Sequence, residues 1–180
     1  MRAFVATRKI GIDAAHRVAT HGSKCKNLHG HRYEIEASCE AGDGVLRRSG
    51  QQTDMVVDFS FLKEEMINHI ENACDHALIA AISDEELLAM LCPKANKFAP
   101  WLDTLKKQVE ANGFAITEDT NLDTRLYVIG YQPTAERLAE HWFTCLASPI
   151  AERSNGRAKL QRVRVWETPN CYADFYAPDK

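Results

Sequence analysis

The run from His31 to Glu40 alternates cleanly. Tyr33, Ile35, Ala37 and Cys39 fall on one side; Arg32, Glu34, Glu36, Ser38 and Glu40 fall on the other. A period of two belongs to a pleated strand with one covered and one wet face, the pattern of an antiparallel sheet. A second strand is expected from Arg2 to Ala14, with Phe4, Ala6, Ile10, Ile12 and Ala14 on one face and Arg8 as the exception. Arg125 to Tyr131 reads as a short strand, and Leu160 to Glu167 and Tyr172 to Tyr176 as two final ones. Between them lie helical patterns. Leu62, Met66, Ile70 and Cys74 recur every four residues behind a cap at Asp58 or Ser60. Asp84 to Leu91 and Pro100 to Asn112 read as two shorter helices, separated by Pro93 and ended by Gly113. A last helix opens at Pro133-Thr134 and carries Leu138, Trp142, Cys145 and Leu146. The tally predicts an α+β domain, helices packed on one face of an antiparallel sheet. No repeat, linker or low-complexity tract divides it, so a single domain over residues 1–180 is expected.

Composition narrows the function. With 45% apolar and 26% charged residues the profile is globular, and the net charge of -3 argues against a nucleic-acid partner. No apolar run reaches the roughly 20 residues that span a membrane, and the segment from Met1 to Val5 carries no signal-peptide core. The six cysteines form no CxxC pair. They are expected to be reduced thiols in a cytoplasmic protein.

Four of the seven histidines, His16, His21, His29 and His31, lie within the first 31 residues, and three of them stand out. In extended backbone His29 and His31 point the same way, and Gly30 between them leaves room for a close approach. His16 shares parity with Ile10, Ile12 and Ala14, as His31 does with Tyr33 and Ile35. Paired strands would bring all three imidazoles to one covered face. Three neutral imidazoles suit Zn²⁺ and leave a fourth position open to substrate. An HxH pair alone is common without a metal; the parity of His16 is what favours a site. Their second ring nitrogens need carbonyl or carboxylate partners. His21 reads as a loop residue, His69 as an exposed helix residue and His141 as a packed or interface residue.

Cys25 stands between Lys24 and Lys26, four positions before His29. Positive surroundings favour a thiolate, which acts either as a general base or as a fourth metal ligand that closes the site. Asp75-His76 follows the first helix. It is either a histidine favoured by the helix C-terminus or a carboxylate orienting a proton-shuttling imidazole. Glu167 shares the expected covered face of Val163 and Val165 and needs a partner there. Arg162 and Arg164 point the other way, so a ligand with a guanidine-like N–H pair fits better.

Read together, Asp13-Ala14-Ala15-His16-Arg17, Cys25-Lys26-Asn27-Leu28-His29-Gly30-His31, Met55-Val56-Val57-Asp58-Phe59, Asp75-His76-Ala77-Leu78, Pro133-Thr134-Ala135-Glu136 and Val165-Trp166-Glu167-Thr168 form an ordered set. The chain resembles the 6-pyruvoyl-tetrahydropterin synthase family, and within it the bacterial 6-carboxy-tetrahydropterin synthases of queuosine biosynthesis. The resemblance implies a tunnelling fold (T-fold): a four-stranded antiparallel sheet with two main helices on one face, here with a helical insertion at about 83–124. It implies a homo-oligomer, a hexamer built as a dimer of trimers, with sites at subunit interfaces. It implies zinc on His16, His29 and His31, Cys25 as general base with Asp75 and His76 completing the relay, and the pterin ring anchored by Glu167, Thr134 and the main chain at Ala135. Arg17, Lys24 and Lys26 are candidate triphosphate contacts. The three residues between Cys25 and His29 match the 6-carboxy enzymes; the 6-pyruvoyl enzymes typically have four.

The implied reaction converts 7,8-dihydroneopterin triphosphate to 6-carboxy-5,6,7,8-tetrahydropterin, acetaldehyde and triphosphate. Competing readings are a 6-pyruvoyl-type synthase, which eliminates triphosphate but keeps the carbon chain, a non-catalytic zinc-containing pterin- or purine-binding protein, and a metal-free aldolase-like pterin enzyme.

Overall fold

The computed structural model describes residues 4–178. Arg2 and Ala3, the start of the first expected strand, lie outside the described residues, as does Met1 of the segment read for a signal peptide. The elements are β1 Val5–His16, β2 His29–Ala41, α1 Phe59–Met66, α2 Asn72–Cys74, β3 Leu78–Ala81, α3 Glu85–Leu91, α4 Phe98–Asn112, β4 Phe114–Thr117, β5 Leu126–Ile129, α5 Ala135–Arg153, β6 Ala158–Thr168 and β7 Cys171–Tyr176. The sheet corrects the expected one. It has seven strands, not four, in the order β4-β5-β3-β1-β2-β6-β7, and it is mixed: β1 with β3 and β3 with β5 run parallel. The reason lies in β3 and β5. Leu78–Ala81 and Leu126–Ile129 are buried at every position, and strands covered on both faces show no alternation.

Contacts divide the chain into two compact units. One comprises the segment ending at Gly11, Tyr33–Asn72 and the residues from Leu138 onward. Here β2, β6 and β7 pair antiparallel, with a register shift between Ser38 and Cys39. Tyr33, Ile35, Ala37 and Cys39 are fully buried, as their parity demands. The opposite face is not simply wet. Arg164 grips Asp174 through two 2.8 Å bonds, and Glu36 accepts from Trp166 at 3.1 Å and Arg162 at 3.3 Å. Asp58 caps α1 by accepting from Ser60 N–H at 2.6 Å. Beyond α1 the chain passes through a π turn, Ile67–Glu71. A strict four-residue spacing drifts about 40° per step around an α-helix; the wider π turn offsets that drift. Leu62, Met66, Ile70 and Cys74 accordingly all stay buried.

The other unit comprises Ile12–Arg32 and Ala73–Arg137. Its core gathers Leu78, Ala80, Leu126 and Val128 from β3 and β5 with Leu87, Leu88 and Leu91 of α3 and Leu102 and Leu105 of α4. The stretch 83–124 is therefore packed structure, with β4 added antiparallel to β5. Asp84 caps α3 through Leu87 N–H, and Gly113 ends α4 at φ 84°, where only glycine is unstrained. Among the described residues no helix is long and apolar enough to cross a membrane.

Candidate metal centre

β1 ends at His16, which is 1% exposed because its strand pairs with fully buried Ile79. β2 begins at His29 and carries His31 two residues on, on the same face. The candidate nitrogens of the three rings lie within 4.8 Å of one another. The ring centroids are 4.6 Å apart for His16 and His29, 5.2 Å for His16 and His31, and 4.8 Å for His29 and His31. A Cβ on Gly30 would stand 3.2 Å from the Ala14 carbonyl oxygen. The room glycine makes is thus taken by the β1 backbone.

Two rings are held by carbonyls. His16 Nδ1 lies 2.8 Å from the Pro133 carbonyl oxygen and His29 Nδ1 lies 2.7 Å from that of Asn27. A carbonyl only accepts, so each Nδ1 carries the proton and each Nε2 carries the lone pair. Burial lowers the His16 pKa from 6.5 to about 4; the Pro133 bond opposes this, and the neighbouring His29 and His31 reinforce it. A neutral, oriented imidazole is the form that binds a dication. The donor set, three histidines of which two are pre-oriented through Nδ1, fits zinc with its preference for nitrogen ligands and carbonyl support behind them. His31 also lines an open cleft of about 510 Å³, together with Asp13, Arg32, His76 and Thr124.

His76 stands in that cleft's wall, and Asp75 holds it there through a compact arrangement. Asp75 accepts Asp13 N–H on one oxygen and His76 Nδ1–H on the other, both at 2.9 Å. The Asp13 N–H is the main cause that lowers the Asp75 pKa; burial opposes it, and His76 and Arg32 add to it. His76 itself adopts φ 59°, a left-handed conformation, and its N–H reaches the Asp13 carbonyl at 2.6 Å. Asp13 in turn holds Arg32 at 2.5 Å. Asp13 and Arg32 escaped the sequence reading. The available signal was a carboxylate on the outward parity of β1, which looks like any surface charge.

Cys25 is half-buried on a single 3₁₀ turn, Lys24–Lys26, and its carbonyl accepts Val18 N–H at 2.8 Å. Lys24 and Lys26 are exposed. Arg17 is already engaged: it donates two 2.6 Å bonds to buried Asp84 and one of 3.0 Å to Glu86. Thr134 caps α5 through Arg137 N–H at 3.4 Å, and Ala135 is the first helical residue. Glu167 belongs to the other unit. It is half-buried at a bulge between Trp166 and Thr168, which interrupts the alternation used to place it. His141 is packed, 4% exposed, with Nε2 3.7 Å from Cys145 Sγ. His21 lies in a turn and His69, half-buried, approaches Glu65 at 3.6 Å.

The family model for 6-pyruvoyl tetrahydropterin synthase matches residues 6–178. A protein of Rickettsia bellii named 6-carboxy-5,6,7,8-tetrahydropterin synthase is 27% identical over 168 residues, 93% of this chain and 96% of its own length. A crystal structure of an uncharacterized protein from Wolinella succinogenes superposes with a TM-score of 0.69 at 20% identity, covering 99% of this chain and all of the other. The 6-pyruvoyl tetrahydropterin synthase of Caenorhabditis elegans superposes with a TM-score of 0.55 at 20% identity, covering 99% and 98%. These likenesses establish the mixed α+β T-fold. With nearly its whole length matched, the chain belongs to the 6-pyruvoyl tetrahydropterin synthase family, a family of enzymes.

Proposed function

We propose that this enzyme is a zinc-dependent carbon–carbon lyase of a single T-fold domain with an inserted segment at 83–124. It converts 7,8-dihydroneopterin triphosphate to 6-carboxy-5,6,7,8-tetrahydropterin, acetaldehyde and triphosphate. The observation that carries the reading is the convergence of His16, His29 and His31, two of them oriented by carbonyl acceptors. The name of the Rickettsia bellii relative, 6-carboxy-5,6,7,8-tetrahydropterin synthase, supports the product. His16, His29 and His31 hold the metal. A zinc ion held by these three rings would supply Lewis-acid chemistry to the substrate's side-chain hydroxyls. Cys25 takes a proton as general base. His76 relays protons at Nε2, because Asp75 fixes the proton on Nδ1. Glu167 is the residue that grips the pterin N–H edge, and Thr134 and the Ala135 main chain are further pterin contacts. The enzyme works in the cytoplasm as a homo-oligomer, a hexamer formed as a dimer of trimers.

The test is a mass-spectrometric product assay with dihydroneopterin triphosphate, run beside metal content per chain. Carboxy-tetrahydropterin with acetaldehyde and about one zinc per chain is the expected result. Triphosphate release with the carbon chain retained would give the reaction to the 6-pyruvoyl class instead. Turnover undiminished in Cys25→Ala would remove Cys25 from the mechanism. A chain that binds pterin and zinc but turns nothing over would be a binding protein.

A further inference from the structure

Two cavities of about 410 and 300 Å³ on the unit built from β2, β6 and β7 share Arg47 and Arg157 in their walls. Arg48 lines the first and Arg153 the second. Arg153 is occupied, bonded to buried Glu65 and to Glu64 and set over the Phe61 ring. Arg47, Arg48 and Arg157 make no ion pair among the described residues. Arg47 Nε is shielded from solvent and has no hydrogen-bond partner in the chain. The acid in the wall, Asp43, accepts Val45 N–H at 3.2 Å.

This grouping is held in place by backbone. Arg47 N–H reaches the Met55 carbonyl at 3.3 Å, and Asp54 N–H reaches the Arg47 carbonyl at 2.9 Å. Gly42 N–H reaches the Arg157 carbonyl at 2.8 Å, and a Cβ on Gly42 would run into the Gly156 carbonyl. A chain of net charge -3 thus gathers three unpaired guanidinium groups on a fixed loop and turn. Arg48 and Arg157 are exposed and solvated, but the shielded Nε of half-buried Arg47 has no partner, and an anion seated between the three would supply one. Guanidinium forks match the oxygens of a phosphoryl group, and Val57 and Phe61 add an apolar wall.

We propose that this arginine pocket is a second ligand site and binds a phosphoryl group, either free phosphate or the phosphate of a monoester. The test is calorimetric titration of the full chain at low salt with inorganic phosphate and, separately, adenosine monophosphate. Each arm uses wild type, Arg47→Gln/Arg157→Gln and Lys24→Ala/Lys26→Ala. Binding at least about tenfold weaker in the arginine variant than in the other two is the expected result, since each lost charged hydrogen bond removes more than one decade. Tighter binding of the monoester would mark an ester ligand and equal binding would mark free phosphate; both support the site. Binding by wild type of neither probe, binding unchanged in the arginine variant, or loss confined to the lysine variant would overturn it. Neither arginine side chain makes a bond in the fold, so a melting curve matching wild type is expected and shows that the variant is folded.

Discussion

His76 combines an exposed ring with a left-handed backbone. A non-glycine residue there costs about 1–2 kcal/mol, and such strain gathers where function demands a side chain. His76→Gly is expected to be about 1 kcal/mol more stable than His76→Ala in urea unfolding, because only glycine adopts that φ without penalty. On the proton-relay role proposed for His76, both variants are expected to lose at least about a hundredfold in turnover. Equal stabilities would show that the backbone is unstrained. Sequence parity sufficed to bring His16, His29 and His31 to one face. It had no means of naming the carbonyls that set the His16 and His29 tautomers, because Pro133 is 117 residues from His16 and a main-chain acceptor, even Asn27 two residues from His29, has no residue signature.

At the scale of elements, the Arg17–Asp84 pair joins the end of β1 to the start of α3. Burial works to raise the Asp84 pKa, but the Arg17 bonds, the Leu87 N–H and the Arg17 charge outweigh it and leave it lowered. Its stabilisation is present above the unfolded pKa and is lost as pH falls through the folded one. Asp84→Ala leaves the guanidinium without its main partner and α3 without its cap, and should cost about 3 kcal/mol by chemical denaturation. Asp84→Asn keeps a capping oxygen and should cost roughly half that. An Asp84→Ala loss below about 1 kcal/mol would reduce the pair to a surface contact. The helix boundaries at Asp84 and Gly113 were legible because capping chemistry is local. The strands β3 and β4 were not. β3 is held in the sheet by pairing with β1 and β5, and β4 by pairing with β5, all long-range contacts.

Two expectations concern the molecule as a whole. Burial lowers the His141 pKa from 6.5 to about 4. Between those values the unfolded chain takes up a proton that the folded one refuses. Stability is therefore complete above pH 6.5 and falls by about 3 kcal/mol as pH drops to 4. His141→Gln should flatten that share of the decline in unfolding curves taken across the range; an unchanged slope would place the acid sensitivity elsewhere. Removing metal with a chelator should lower the melting temperature, and zinc should restore it, because the three imidazoles converge only in the folded chain. A hundredfold excess over the dissociation constant contributes about 2.7 kcal/mol. A melting temperature indifferent to zinc would argue against a site there.

What the sequence determined alone is whatever short-range geometry encodes. The inward parity of Ile10 to His16 and of His31 to Cys39, the helix starts at Asp58 or Ser60 and at Asp84, and the stop at Gly113 all follow from residues a few positions apart. Tertiary structure decided the rest. It decided the parallel pairing of β3, the Pro133 carbonyl behind His16, the Asp13 support of Asp75, and the shared cavity walls of Arg47 and Arg157. Each joins groups far apart in the chain, and only the buried area and hydrogen bonds gained on folding select such pairings.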